Sequence, residues 1–141
     1  MATFISSLQT TLKGYVSYRG REGHITFLVH RITGLGTLLF LFLHILDTST
    51  VYFFPDLYDH AIALYQSTPF MLGEIVLVFC VVFHGVNGLR ITWYDLFKPG
   101  AWNVGRQRKS VRATFIASVI IWLPAALWMG YKMLHHNFGM F

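Results

Sequence analysis

His44 and His84 each sit inside a separate apolar stretch long enough to cross a bilayer. An imidazole in hydrocarbon costs on the order of a few kcal/mol unless it is hydrogen-bonded, paired or metal-bound, so each carries a functional expectation. Two such rings on two spans point to haem, whose iron takes imidazole as an axial ligand. Gly85 and Gly88 flank His84 and leave room for a flat macrocycle or a closely packed helix. Asp47 follows His44 by one turn and suits either a ligand, whose second ring nitrogen it would orient, or an interhelical hydrogen bond. At about 1.5 Å per residue, His44 lies roughly 7 Å to one side of its span's centre and His84 roughly 3 Å to the other. A depth difference of about 10 Å disfavours both rings ligating one iron, so each calls for a partner from another chain or a separate cofactor.

Other polar residues cluster near one membrane boundary. Arg90 lies six residues past His84, where its guanidinium either snorkels to the interface or meets a haem propionate. His30-Arg31 opens the first span. Snorkelling accounts for Arg31, and the sharper alternative is a polar pocket for propionates or a quinone carbonyl, with Thr26 and Thr33 as hydroxyl donors. Glu74 near the far end of the second span faces water or a proton path. Cys80, the only cysteine, excludes an intrachain disulfide, a thiolate zinc site and a Cys-ligated cluster within this chain. It reads as a small buried residue. His24, His60, His135 and His136 fall outside the spans and read as solvated.

These residues need a membrane frame to hold them, and the composition supplies one. With 55% hydrophobic and only 12% charged residues over 141 positions, the chain is too apolar for an ordinary soluble domain. Continuous apolar runs at about 28–54, 69–94 and 112–134 meet the length of about 20 residues for a spanning helix, and show none of the alternation of barrel strands. The prediction is one all-α integral membrane domain over 1–141, with an amphipathic helix at about 3–17 built on Phe4, Ile5, Leu8, Leu12, Tyr15 and Val16. Gly20-Arg21-Glu22-Gly23 should break that helix, Pro55 should end the first span, residues 60–67 suit a short helix, and Pro124 should bend the third span. The net charge of +5 is not read as a nucleic-acid footprint. Its distribution puts Lys13, Arg19, Arg21 and Arg31 before or at the first span and Lys98, Arg106, Arg108, Lys109 and Arg112 between the second and third. By the positive-inside rule the N-terminus is cytoplasmic and the C-terminus exterior, with Lys132 alone against the bias. A cleaved signal or transit peptide is not expected.

His30-Arg31-Ile32-Thr33-Gly34 opening the first span, then His84-Gly85-Val86-Asn87-Gly88-Leu89-Arg90 with Asp95 closing the second, resembles the cytochrome b membrane-anchor subunit of succinate dehydrogenase. That family's pattern is HR-[VI]-[ST]-G, then H-x3-G-x-R with Asp eleven residues after the His, and the likeness covers about residues 20–135. The resemblance implies half of a heterodimeric haem-binding anchor bundle in a prokaryotic cytoplasmic membrane. It implies as partners a flavoprotein, an iron–sulfur subunit on the cytoplasmic side and a second membrane anchor, in a complex that can oligomerise further. His84 looks like the axial ligand of haem b, with His30, Arg31 and Arg90 on the propionate side. Arg31 and Thr26 look like quinone-side residues. His44 resembles the span-one histidine of the two-haem branch, and two haems would favour a low-potential quinone such as menaquinone.

Two positions depart from the pattern. The serine often found three residues before the motif histidine is Phe27 here, and the histidine that commonly follows the motif arginine is Ile91. The implied activity is electron transfer from the iron–sulfur subunit to membrane quinone, without catalysis of succinate oxidation by this chain. The alternatives are an anchor of quinol:fumarate reductase, which uses the same architecture, and a haem-free anchor in which His44 and His84 only brace the bundle. A small transporter would be expected to show inverted repeats or broken helices, which the sequence lacks.

Overall fold

The computed structural model describes residues 2–17 and 22–139; of the expected break at Gly20-Arg21-Glu22-Gly23, Gly20 and Arg21 lie outside the described residues, as does the side chain of Val16, whereas Glu22 and Gly23 are already the first residues of a helix. Helix α1 runs over Ala2–Ser17, α2 over Glu22–Phe53, α3 over Pro55–Tyr65, α4 over Thr68–Phe97 and α5 over Val104–Phe138, with a 3-10 turn at Pro99–Ala101. Three of these, α2, α4 and α5, are long and apolar enough to cross a membrane, and no strand occurs among the described residues. The all-α membrane architecture expected from the apolar runs is what the chain adopts.

Local chemistry sets the boundaries. Pro55 both ends α2 at Phe53 and stands at the start of α3, where its missing N–H is no loss. The short helix therefore begins at Pro55 and ends at Tyr65, earlier than the expected 60–67. Pro69 starts α4 in the same way. Asn103 caps α5, its side-chain oxygen accepting from the Arg106 amide at 2.9 Å. Gly139 takes the left-handed conformation just past its end, with φ of 59°, a position that favours glycine. Helix α5 runs continuously through Pro124. The described side chains of α1 are exposed, and Phe4, Leu8, Leu12 and Tyr15 form its apolar stripe.

The distribution of polarity across the bundle is inverted relative to a water-soluble protein. Leu35, Leu38, Ile45, Val76, Ile120 and Leu127 are exposed, whereas Thr26, Thr33, Asn87, Thr114 and Ser118 are buried. Within lipid, apolar burial between helices brings little gain and small or polar contacts do the joining. Helices α4 and α5 meet through Phe83, fully buried, edge-on to Phe115 at 5.2 Å, and through Phe79 against Trp122 at 5.5 Å. Trp122 also donates its indole N–H to the Ile75 carbonyl at 3.0 Å. Helices α2 and α4 meet through glycines: a Cβ at Gly36 would lie 2.7 Å from Cys80 Sγ. At the basic end, Arg108 and Arg112 of α5 both bind Glu22 at the start of α2.

Candidate functional site

Helix α4 carries His84 on the side that faces α2, and Gly34 on α2 is what lets it come close. A Cβ at position 34 would stand 2.9 Å from His84 Cε1, so the imidazole occupies the space a side chain would take. The ring lies parallel to that of His30, with centroids 4.2 Å apart and planes 1° from parallel. Its Nδ1 sits 3.2 Å from the His30 carbonyl oxygen. As an Nδ1–H donor to that carbonyl, His84 is held in the tautomer that leaves the Nε2 lone pair for a metal, the arrangement metal-binding histidines commonly use. Among the described residues nothing hydrogen-bonds that Nε2. Thr33 is buried nearby and donates to the carbonyls of Val29 at 2.8 Å and His30 at 3.1 Å.

Arg90 is half-buried and lines a cleft between α4 and α5 with Tyr94, Ser110 and Thr114. Among the described residues its Nε and Nη1 are shielded and lack an acceptor, His30 Nδ1 is likewise unpartnered, and Asn87 Oδ1 lacks a donor. A buried guanidinium without a partner is costly in any low-dielectric setting. The donor set therefore fits an anionic group brought from outside the chain, and His84 Nε2 fits an iron held by single imidazoles. Among the described residues no three His, Cys, Asp or Glu side chains converge, so any metal here relies on ligands beyond a side-chain cluster of this chain.

The two quinone-side candidates point different ways. Arg31 is exposed, its guanidinium 4.3 Å from the centroid of the Phe27 ring, so the residue that replaces the family's serine serves as a platform for the motif arginine. Thr26 is buried, and its hydroxyl donates to the Glu22 carbonyl at 2.9 Å. Five residues apart on a helix, the two project about 140° from one another.

His44 lies in the same α2–α4 groove, nearer its other end. Ten residues beyond Gly34, it stands about 15 Å further along α2 than the level at which His84 packs. That separation agrees with the depth mismatch read from the sequence and rules out both rings as opposite ligands of one iron. His44 is exposed, stacks with Phe40 at 5.7 Å, and lines a cavity of about 480 Å³ with Asp47, Tyr65, Gly73 and Glu74. Asp47 is engaged elsewhere: its Oδ2 accepts from the Tyr65 hydroxyl at 2.6 Å. That bond, first among the causes, pushes the Tyr65 phenol up to about 12. The Asp47–Tyr65 pair spans 18 positions and carries no sequence signal. Asp95, the last motif residue, accepts from the Trp102 indole at 3.0 Å.

Residues 14–125 match the family described as "Succinate dehydrogenase/Fumarate reductase transmembrane subunit". The chain is also 33% identical over 121 residues to the "Succinate dehydrogenase 2 membrane subunit SdhC" of Mycobacterium tuberculosis (strain ATCC 25618 / H37Rv), covering 84% of this chain and 85% of that protein. The matched stretch 14–125 spans the His30–Gly34 and His84–Arg90 strings, and the chain thus belongs to the succinate dehydrogenase/fumarate reductase transmembrane subunit family.

Proposed function

We propose that this chain is the haem b-carrying membrane anchor of a succinate:quinone oxidoreductase, passing electrons from an iron–sulfur subunit to membrane quinone. The observation that carries the reading is the His84 imidazole, whose Nδ1 lies against the His30 carbonyl and whose Nε2 is left for iron. Bound haem b supplies a one-electron redox centre in the membrane. The chain's own residues hold and orient it. Gly34 gives His84 its seat, His30 fixes the tautomer, and Arg90 with His30 supplies cationic and N–H partners for propionates. A second imidazole for the iron would have to come from a second membrane anchor, since among the described residues only His30 lies at that level and its ring is stacked on that of His84. Arg31, seated over the Phe27 ring on the exposed side of α2, faces quinone at the membrane edge, with Thr26 on the bundle side of the preceding turn.

His44 serves a second haem b within the far-end cavity, where Gly73 across the groove leaves room for a large group. Two haems would favour menaquinone. The basic loop faces the cytoplasm of a prokaryotic cell, where the flavoprotein and iron–sulfur subunits dock. A quinol:fumarate reductase would use the same residues in the reverse direction. The hydrogen bond from His84 to the His30 carbonyl also suits a haem-free anchor in which the imidazole braces two helices, and haem content separates the two readings. A pyridine haemochrome assay on the purified complex should give two haem b per chain, falling by one in His84→Ala and by one in His44→Ala. One haem, lost only in His84→Ala, returns His44 to a structural role. No haem overturns the cytochrome reading.

A further inference from the structure

Of the eleven Lys and Arg residues, Lys132 alone lies at the end of the spans away from the basic loop, and the reading above gives it no role. It lines a cavity of about 520 Å³ with Gln66, Met71, Trp128, Tyr131, His135 and His136. The wall is fastened at its end, where Asn137 Nδ2 donates to Thr68 Oγ1 at 3.0 Å and reaches Met71 Sδ at 3.6 Å, tying the last turn of α5 to the first of α4. Tyr131 packs between Trp128 and His135, at 6.3 and 6.1 Å, and Lys132 Nζ lies 5.7 Å from the Trp128 ring centroid. The polar lining is thus one ammonium, two imidazoles, a phenol and an amide, and none of the lining residues is acidic.

That chemistry selects a compact anion. An ammonium is a point charge suited to phosphate, and a helix C-terminus favours the cationic groups placed there. Trp128 and Tyr131 stand where interfacial aromatics sit at headgroup level, so the anion arrives from the bilayer, and Met71 with the Trp128 ring gives its glycerol and first methylenes an apolar surface. With no carboxylate among the described lining residues and an ammonium in the wall, net charge favours a lipid of net negative charge over a zwitterion. We propose that this cavity binds the phosphate headgroup of an anionic phospholipid in the leaflet opposite the basic loop.

The test uses the intact complex, equilibrated with mixed micelles of phosphatidylglycerol and phosphatidylcholine and analysed by native mass spectrometry. Wild type should retain phosphatidylglycerol in preference to phosphatidylcholine. The Lys132→Gln/His135→Gln/His136→Gln variant should lose about tenfold in phosphatidylglycerol affinity, with phosphatidylcholine unchanged. Equal retention of the two lipids by wild type, or undiminished phosphatidylglycerol binding by the variant, would overturn the assignment. Full release of the lipid by millimolar inorganic phosphate would overturn the lipid as source and leave a free-phosphate site. Should the variant fail to assemble, amine acylation of wild-type Lys132 decides instead: protection by phosphatidylglycerol and not by phosphatidylcholine is expected, and equal labelling in both lipids refutes the site. Neither outcome depends on whether the complex carries haem.

Discussion

Replacing Gly34 by Ala probes the seat of His84 with a single methyl group. The new Cβ would lie 2.9 Å from His84 Cε1 and 3.2 Å from its Nδ1, about 0.6 Å inside the closest favourable carbon–carbon separation. Helix α2 cannot give without straining its own ladder, so the ring must slide. Its Nδ1 contact is already 3.2 Å, at the outer limit for N–H···O bonds, and a shift of half an ångström removes it. The net loss from the fold is about 0.5–1.5 kcal/mol, offset by about 1 kcal/mol from replacing glycine inside a helix. Thermal stability should therefore barely change. Haem affinity should fall, because freeing a metal-binding histidine from its orienting carbonyl typically costs about 10–100-fold. Haem occupancy of the purified complex, and the rate of haem transfer to an acceptor apoprotein, measure this directly. Gly130→Ala is the control, since a Cβ there meets nothing within 4 Å. A Gly34→Ala complex with wild-type occupancy and transfer rate would refute the claim that this glycine positions the ligand.

Three further substitutions test the rest of the bundle. Gly36→Ala should destabilise the α2–α4 contact, since its Cβ would lie 2.7 Å from Cys80 Sγ; Cys80→Ala in the same chain should restore part of the loss, with a coupling of about 0.5–3 kcal/mol in a double-mutant cycle of unfolding. Tyr65 ionises at about 12, above the usual 10.0, so the neutral phenol is favoured by folding: its contribution is complete below pH 10 and is lost as pH rises from about 10 to about 12. Tyr65→Phe should flatten that part of the stability profile and remove one high-pH phenolate from the ultraviolet titration; an unchanged profile would refute the Asp47 bond. Glu22→Gln should leave wild-type stability at high salt and lower it at low salt, because the ties to Arg108 and Arg112 are exposed and screened.

The spans were legible because a continuous apolar run of that length has few alternatives. Their ends were not, since helical hydrogen bonding continues past the hydrocarbon: α5 runs from Val104 to Phe138 where hydropathy marks only 112–134. Pro55 reads in sequence as the end of a span, and only the backbone shows that it also opens α3. His84 could be singled out from its apolar surroundings, but its partner could not. The His30 carbonyl lies 54 residues away, and the contact depends on helix register, for which Gly34 in the first motif was the only local sign. Asp47 shows the limit of spacing arguments. One turn from His44, it suggests itself as that ring's support, yet Tyr65 holds its carboxylate across the α2–α3 turn.

Each spanning helix is only about a tenth buried within this chain, and lipid satisfies exposed leucines without difficulty. It cannot satisfy polar atoms. His30 Nδ1, Asn87 Oδ1, Arg90 Nε and Nη1, and Gln107 Nε2 are all shielded without a hydrogen-bond partner, at about 1–3 kcal/mol each and more for the charged guanidinium. All four residues lie on the half of the bundle nearer the basic loop, and three of them flank or follow His84. Among the described residues the far half shows no shielded side-chain atom without a partner, and two of its polar pairs are Tyr65 with Asp47 and Asn137 with Thr68. Unmet polar atoms gathered at one end of a bundle favour that end as the place where polar partners from outside the chain are received. That asymmetry sets the His84 end apart: among the described residues it is the half of the bundle whose polar atoms the chain does not satisfy by itself.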